Sequence, residues 1–282
     1  MKAAIEFRWL GVAGIELRVN GQTLLIDPFL TRFPFWRMWI GRIHPDRERI
    51  AEKIARCDFV LVTHAHWDHL MDVPEVMRNT GARAWGSPQT CRLLAAHGIE
   101  AIRIQEIGVG DKLNLGEFQI EVLPAEHLTL LGLPVLSGPL PARLQPPLRA
   151  SDYRMDCCFS FLSHVAGQRL LNWCSVHPEP AVPADVLFAR PYQTRPFFEA
   201  LLRDVRPQLV IPTHWDDFFR PLSRPARPMF KPPRRAWPPL QRVNLTRFKQ
   251  MVEQIAPQTQ VLIPEKFQLY DLQQLTNHRF TV

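Results

Sequence analysis

The chain has 282 residues, 46% of them hydrophobic, enough to bury a large core in one large domain or two small ones. No stretch reaches the roughly 20 uninterrupted apolar residues that a membrane-spanning helix needs, and Glu6, Arg8, Glu16 and Arg18 interrupt any signal-peptide core. The formal charge is +7, yet residues 218–252 hold nine basic residues and no acidic one, so the excess positive charge sits in one Pro-rich segment.

In chain order, "AIEFRWL" alternates Ile5, Phe7 and Trp9 onto one face and predicts a half-buried strand. "IELRVNGQTLLID" predicts two strands joined by a type I′ turn at Asn20-Gly21. "FLTRFPFWRMWIGRIH" (29–44) sets Phe29, Phe33, Phe35, Trp36, Trp39 and Ile40 around three arginines, an insertion whose aromatics either fill core or meet substrate, with Trp36 and Trp39 the substrate-binding candidates. Residues 46–56 predict a helix carrying Ile50 and Ile54, capped by Asp46. Further strands are expected over 59–62, 117–123, 157–165, 168–174, 185–190 and 208–212, with helices near 73–80, 88–97, 194–205 and 244–255. Strands alternating with helices describe an α/β protein whose sheets are covered by helices, and a single domain is the simpler organisation.

Two segments stand outside this alternation. Residues 127–150 run apolar through several prolines and read as a lid rather than a core element. The basic Pro-rich segment 218–242 is an extended arm, either a solubilising loop or a surface for an anionic substrate, a lipid head group or nucleic acid. Five cysteines (57, 91, 157, 158, 174), an odd number with no CxxC, point to a reducing compartment and an expected cytoplasmic location.

The chemistry concentrates in "FVLVTHAHWDHL" (59–70), a strand that ends in His64, His66, Asp68 and His69. Residues two apart in an extended segment point the same way, so His64 and His66 converge. Imidazole with carboxylate suits zinc, iron or manganese. Three other apolar runs end in ligand-type residues, at His127, Cys174 and His214. His44, His97, His164, His177 and His278 lack that context and are expected to be surface or satisfied core histidines.

"THAHWDH" resembles the HxHxDH signature of the metallo-β-lactamase superfamily. "WLGVAGIELRVNGQTLLIDP" is similar to its N-terminal strands, and "IPTHWDDF" to its last histidine motif. The likeness spans residues 3 to about 217 and is closest to the branch of ascorbate-6-phosphate lactonase-like and N-acyl-phosphatidylethanolamine phospholipase D-like proteins. It implies an αββα sandwich, two mixed sheets packed face to face with helices outside. By position, His64, His66 and His127 would bind a first metal, and Asp68, His69 and His214 a second. Asp27 would buttress the ligand histidines. The family's bridging Asp is missing here, and Cys174, or with a one-residue slip Ser175, takes its place. A thiolate there is a sensible zinc ligand. Two zinc ions are expected or one, with manganese or iron as alternatives.

A bound zinc lowers the pKa of its water to about 7, which supplies a hydroxide nucleophile. The expected activity is therefore metal-dependent hydrolysis of an ester, lactone or phosphodiester, with Asp68 as the catalytic carboxylate that orients the nucleophile or shuttles a proton. The apolar and basic segments imply an amphipathic, anionic, lipid-like substrate or another small molecule, and peripheral contact with a membrane surface. Two alternatives stay open. One is a single-iron oxidative enzyme of persulfide-dioxygenase type, which loss of the bridging Asp favours. The other is a nucleic-acid-directed nuclease or binding protein using the basic arm, disfavoured because no aromatic-basic alternation suited to stacking bases occurs there. Nothing in the sequence sets an oligomeric state.

Overall fold

Period-two alternation decides which layer each strand residue meets. In strand Gln22–Ile26, Leu24 and Ile26 face one core and Leu25 the other; in Leu209–Pro212, Leu209 and Ile211 face the first core and Val210 a third. Both strands are covered on both faces, which is why they read as unbroken apolar runs. The computed structural model describes residues 3–130, 133–231 and 241–277.

The strands form two seven-stranded sheets. The first runs, edge to edge, Leu269–Asp271, Glu6–Gly11, Gly14–Val19, Gln22–Ile26, Phe59–Leu61, Arg83–Gly86 and Ile104–Glu106. The second runs Gln260–Val261, Leu209–Pro212, Val186–Ala189, Gln168–Trp173, Cys158–Val165, Phe118–Ala125 and Lys112–Leu115. Each is antiparallel over half its width and parallel over the other half. Phe7, Trp9, Phe118, Phe161 and Phe188 fill the space between the sheets, and the Phe7 and Phe188 rings meet at 5.3 Å. Helices Arg47–Lys53, Val73–Thr80 and Pro88–Ala96 cover the outside of the first sheet; Arg195–Val205 and Leu245–Ile255 cover the second. This is the αββα sandwich.

Local signals agree with this layout. Asn20 (φ 47°) and Gly21 (φ 77°) close the turn between paired Val19 and Gln22, the double positive φ that a type I′ turn requires. The Asp46 carboxylate accepts from Arg49 N at the helix start. Short strands at 83–86, 104–106, 112–115 and 269–271 were not expected; at the exposed edge 104–106, burial leaves little periodic signal.

The topology gathers chain ends at one rim. Asp27, Thr63, Cys174, Arg190 and His214 follow the strands that end there, the carboxyl edge where ligands of open α/β sheets bind. Cys158 opens a strand antiparallel to Gln168–Trp173, so its first residue lies at the same rim.

The unusual segments border this rim. In 29–44, Phe29 and Ile43 are buried, whereas Phe35, Trp36, Trp39 and Ile40 stand exposed on and after the 3-10 turn Phe35–Met38, so the aromatics divide between core and surface. Residues 127–150 begin with two short paired strands, Thr129–Leu130 and Leu133–Pro134, and then pass over His66; residues 131–132 lie outside the described part. The arm is anchored by buried Leu222 and by Phe218 and Phe219 packed on the core. Its residues 232–240, with Arg234 and Arg235, lie outside the described part, as does His278. Among the described residues no helix is long and apolar enough to cross a membrane.

Candidate metal centre

Asp27 organises the loop that follows strand Phe59–Leu61. Its carboxylate accepts from Thr63 N at 2.8 Å and from the Thr63 hydroxyl at 2.6 Å, and at 2.7 Å from His69 Nδ1. With its proton given to Asp27, Thr63 Oγ1 accepts from His64 Nδ1 at 3.0 Å. Carbonyl oxygens fix two more rings, since a carbonyl only accepts. His66 Nε2 donates to Val135 O (3.0 Å) and Leu136 O (3.3 Å), and His127 Nδ1 to Leu128 O (3.0 Å). Each of the four histidines thus spends one ring nitrogen on a protein acceptor and turns the lone pair of the other toward a shared space. Such orientation by an outer partner is what metal-ligating imidazoles need.

Two groups of donors result, each with ligand atoms within 4.8 Å of one another: His64, His66 and His127; and Asp68, His69 and His214. In the second, His214 Nε2 is 3.3 Å from His69 Nε2 and 3.3 Å from Asp68 Oδ2, while His69 Nε2 is 3.5 Å from the same oxygen. Positive charge among these atoms offsets the buried Asp68 carboxylate, and a metal ion or, in the metal-free protein, the second proton of His69 can supply it. His64 Nε2, buried in the first group, has no protein partner. The donors fit one or two divalent transition ions of the zinc, manganese or iron kind.

His214 is held in the left-handed region (φ 56°), with its amide donating to Val12 O, while Val12 N donates to buried Asp216 at 2.7 Å. A non-glycine residue in that conformation needs such over-determination. The hairpin turn at 11–14 is therefore part of the site's scaffold.

The electrostatics follow from burial and neighbours. Burial, and then the facing imidazoles, hold His64 well below its usual range. Burial brings His66 down to about 4, and with His66 beside it His127 falls to about 2. All three are neutral ligands at neutral pH. Burial alone would lower His69 too, but the Asp27 and Asp68 carboxylates lift it to about 9. Asp68, which burial alone would raise, is held well below the usual carboxylate range by His69 and His214.

Cys174 lies at the rim as expected, and the structure separates it from Ser175. The Ser175 hydroxyl accepts from Glu126 N and His177 N and so ties two loops together. Cys174 groups instead with His64 and Cys158, a third set of ligand atoms within 4.8 Å, rather than with the Asp68 set. Cys158 Sγ donates to Cys174 Sγ at 3.6 Å and lies 3.7 Å from His64 Nδ1. That bond, working against burial and aided by the Arg190 charge, brings the Cys174 thiol down to about 6; Cys158, as donor and buried, is pushed well up. The fully buried Arg190 donates to Cys174 O. Neither Cys158 nor Arg190 was singled out from the sequence. Arg190 ends the apolar run "DVLFAR" as the named ligands end theirs, and that was the available signal. Trp36 and Trp39 stand on the exposed turn and not among the donors. His177 pairs with Glu126 at 3.2 Å and His164 with Glu121 at 3.1 Å, His97 meets the Tyr153 hydroxyl at 3.2 Å, and His44 is exposed.

Comparison with known proteins agrees with this geometry. Residues 22–139 match the family model described as the Beta-lactamase superfamily domain. A metal-dependent hydrolase of Methanopyrus kandleri is 32% identical over 123 residues, 44% of this chain and 47% of that protein. The chain thus spans about half the length of the curated relatives it matches at that level. A metal-dependent hydrolase of Staphylococcus aureus is 25% identical over 215 residues, 74% of this chain and 84% of its own length. Among solved structures, Igni18, a metallo hydrolase of Ignicoccus hospitalis, superposes with TM-score 0.58 at 20% identity, covering 95% of this chain and 97% of that one. An isothiocyanate hydrolase from Delia radicum gut bacteria superposes with TM-score 0.59 at 12% identity, covering 94% and 98%.

Proposed function

Since residues 22–139 match the Beta-lactamase superfamily domain and the chain is similar to metal-dependent hydrolases, we propose that it is a metal-dependent hydrolase of an ester, lactone or phosphodiester bond in an amphipathic, anionic substrate. The observation that carries this is the pair of facing donor sets, in which His69 Nε2, His214 Nε2 and Asp68 Oδ2 lie within 3.5 Å of one another beside three neutral imidazoles. His64, His66 and His127 would hold one ion and Asp68, His69 and His214 a second. Cys174 is the additional ligand candidate, supported by its lowered thiol and by Arg190 beneath it. When bound, zinc or a similar ion supplies a hydroxide nucleophile near neutral pH and a Lewis acid for the developing oxyanion.

The chain's own residues do the rest. The Asp68 carboxylate, ionised at neutral pH, would orient the attacking water. Asp27 keeps the His69 Nδ1 proton in place, so His69 always presents Nε2. The backbone carbonyls of Val135 and Leu136 fix His66 and bring that part of the 127–150 segment against the site. Trp67, Phe218 and Phe219 form an apolar wall against His214, which suits the apolar part of a substrate.

The test is a panel of ester, lactone and phosphodiester substrates, assayed before chelation, after chelation and after return of zinc or manganese. Turnover that disappears and returns with the ion supports hydrolysis. Oxygen uptake with a persulfide, dependent on iron alone, would replace it with the oxidative alternative. RNA binding with a steep salt dependence and no turnover of the panel would move the assignment to nucleic acid.

A further inference from the structure

Four large apolar side chains stand in water within six residues: Phe35 is 60% exposed, Trp36 53%, Trp39 75% and Ile40 67%. They are presented by a braced turn. Trp39 N and Ile40 N donate to Trp36 O, Arg37 Nη1 donates to Arg42 O, and Arg42 reaches across to the carbonyls of Gln145 and Pro147. A patch of this kind on a soluble chain marks a surface that something covers.

Two further observations say what covers it. The patch continues the wall of the metal centre. Phe35 packs on Phe219 at 5.1 Å, Phe219 on Trp67 at 6.0 Å, and Phe218 on His214 at 5.1 Å, so an aromatic path leads from the exposed tip to a candidate ligand. The segments around the patch are rich in basic residues, although Arg32 and Arg227 are paired with Asp216 and Asp217. Residues 28–45, 127–151 and 218–231 together carry nine Lys or Arg and no Asp or Glu. The first two segments join where Ile43 N donates to Leu148 O, and the first and third where Phe33 meets Phe219.

We propose that Phe35, Trp36, Trp39 and Ile40 insert into the surface of an anionic phospholipid bilayer while Arg37, Arg42 and the neighbouring basic residues bind its head groups. The inference rests on the amphipathic substrate proposed above and names where that substrate is met. Trp settles at the membrane–water interface because its ring is amphipathic, and basic residues beside it are drawn to anionic lipid.

Co-sedimentation of the full chain with phosphatidylcholine vesicles, with and without phosphatidylserine, tests this. Binding is expected with phosphatidylserine present, to weaken at high salt, and to shift Trp fluorescence to the blue. Trp36→Ser/Trp39→Ser should lower partitioning by about tenfold or more, and Trp36→Phe/Trp39→Phe should recover part of it. Both variants change exposed side chains, and an unchanged thermal midpoint shows that the fold survives. Equal binding by the serine variant, no binding by wild type, or a dimer that the serine variant dissolves would each overturn the proposal. Metal content and turnover of a water-soluble ester in the same samples keep this outcome separate from the hydrolase assignment, since neither requires vesicles.

Discussion

The floor and the mouth of the site obey opposite rules. On the floor four of the five imidazoles have a second partner: Asp27 for His69, Thr63 for His64, the Val135 and Leu136 carbonyls for His66, and the Leu128 carbonyl for His127, while His214 is fixed through its backbone instead. At the mouth, Trp39 and Ile40 extend into water from a turn braced by its backbone, by Arg37 and Arg42, and by the Phe35 contact with Phe219. The floor is pre-organised for chemistry and carries its electrostatic strain internally. The mouth leaves its apolar surface for something outside the chain. Perturbing the floor should therefore alter stability and metal content together, while perturbing the mouth should alter neither.

The sharpest break is expected from Asp27→Ala. It strands Thr63 N, the Thr63 hydroxyl and His69 Nδ1 in a buried place, and should cost about 3–5 kcal/mol in urea unfolding of the metal-free protein. A loss under about 1 kcal/mol would mean that the floor is not held from Asp27. Chelation comes next. Ions bound at a hundredfold excess over Kd stabilise by about 2.7 kcal/mol, so the thermal midpoint should drop by several degrees and return when metal is restored. A midpoint indifferent to chelator would contradict a loaded site.

The pH dependence of the metal-free protein follows from the shifted imidazoles. His66 and His97, both held near 4 in the fold, bind protons more weakly there than in the unfolded chain. Their contribution is complete above about 6.5, the unfolded value, and is lost as pH falls through 4. His69, lifted to about 9, works the other way: its contribution is complete below about 6.5 and is lost as pH rises through 9. Urea midpoints should therefore fall on both the acid and the alkaline side, and His97→Gln should flatten part of the acid limb without changing metal content. The smallest effect on stability belongs to Trp36→Ser/Trp39→Ser, within about 0.5 kcal/mol of wild type. A large destabilisation by that variant would make the mouth a piece of core and erase the contrast.

Half of the site is legible in one glance at the sequence because it is local. His64, His66, Asp68 and His69 share a single loop, and any strand that delivers one delivers all four. His127 and His214 are legible for a weaker reason, as polar residues that end apolar runs. Cys158 is hidden because it begins a strand instead of ending one; only the antiparallel pairing with Gln168–Trp173 brings it to the rim. Arg190 looks like an ordinary polar strand end until the fold buries its guanidinium beneath Cys174. The two sheets with outer helices follow from alternation and helix caps, whereas the short strand Ile104–Glu106 at the exposed sheet edge carries too little burial to mark itself. Nor does sequence divide 29–44 into buried Phe29 and exposed Trp39, since an irregular loop has no period to follow.

The most direct test is elemental analysis of the purified protein and of His214→Ala. Two transition-metal ions per chain, falling to one in the variant, are predicted by the paired donor sets. A protein that binds no ion, or a variant that keeps the full wild-type content, would contradict the assignment of Asp68, His69 and His214 as a metal site.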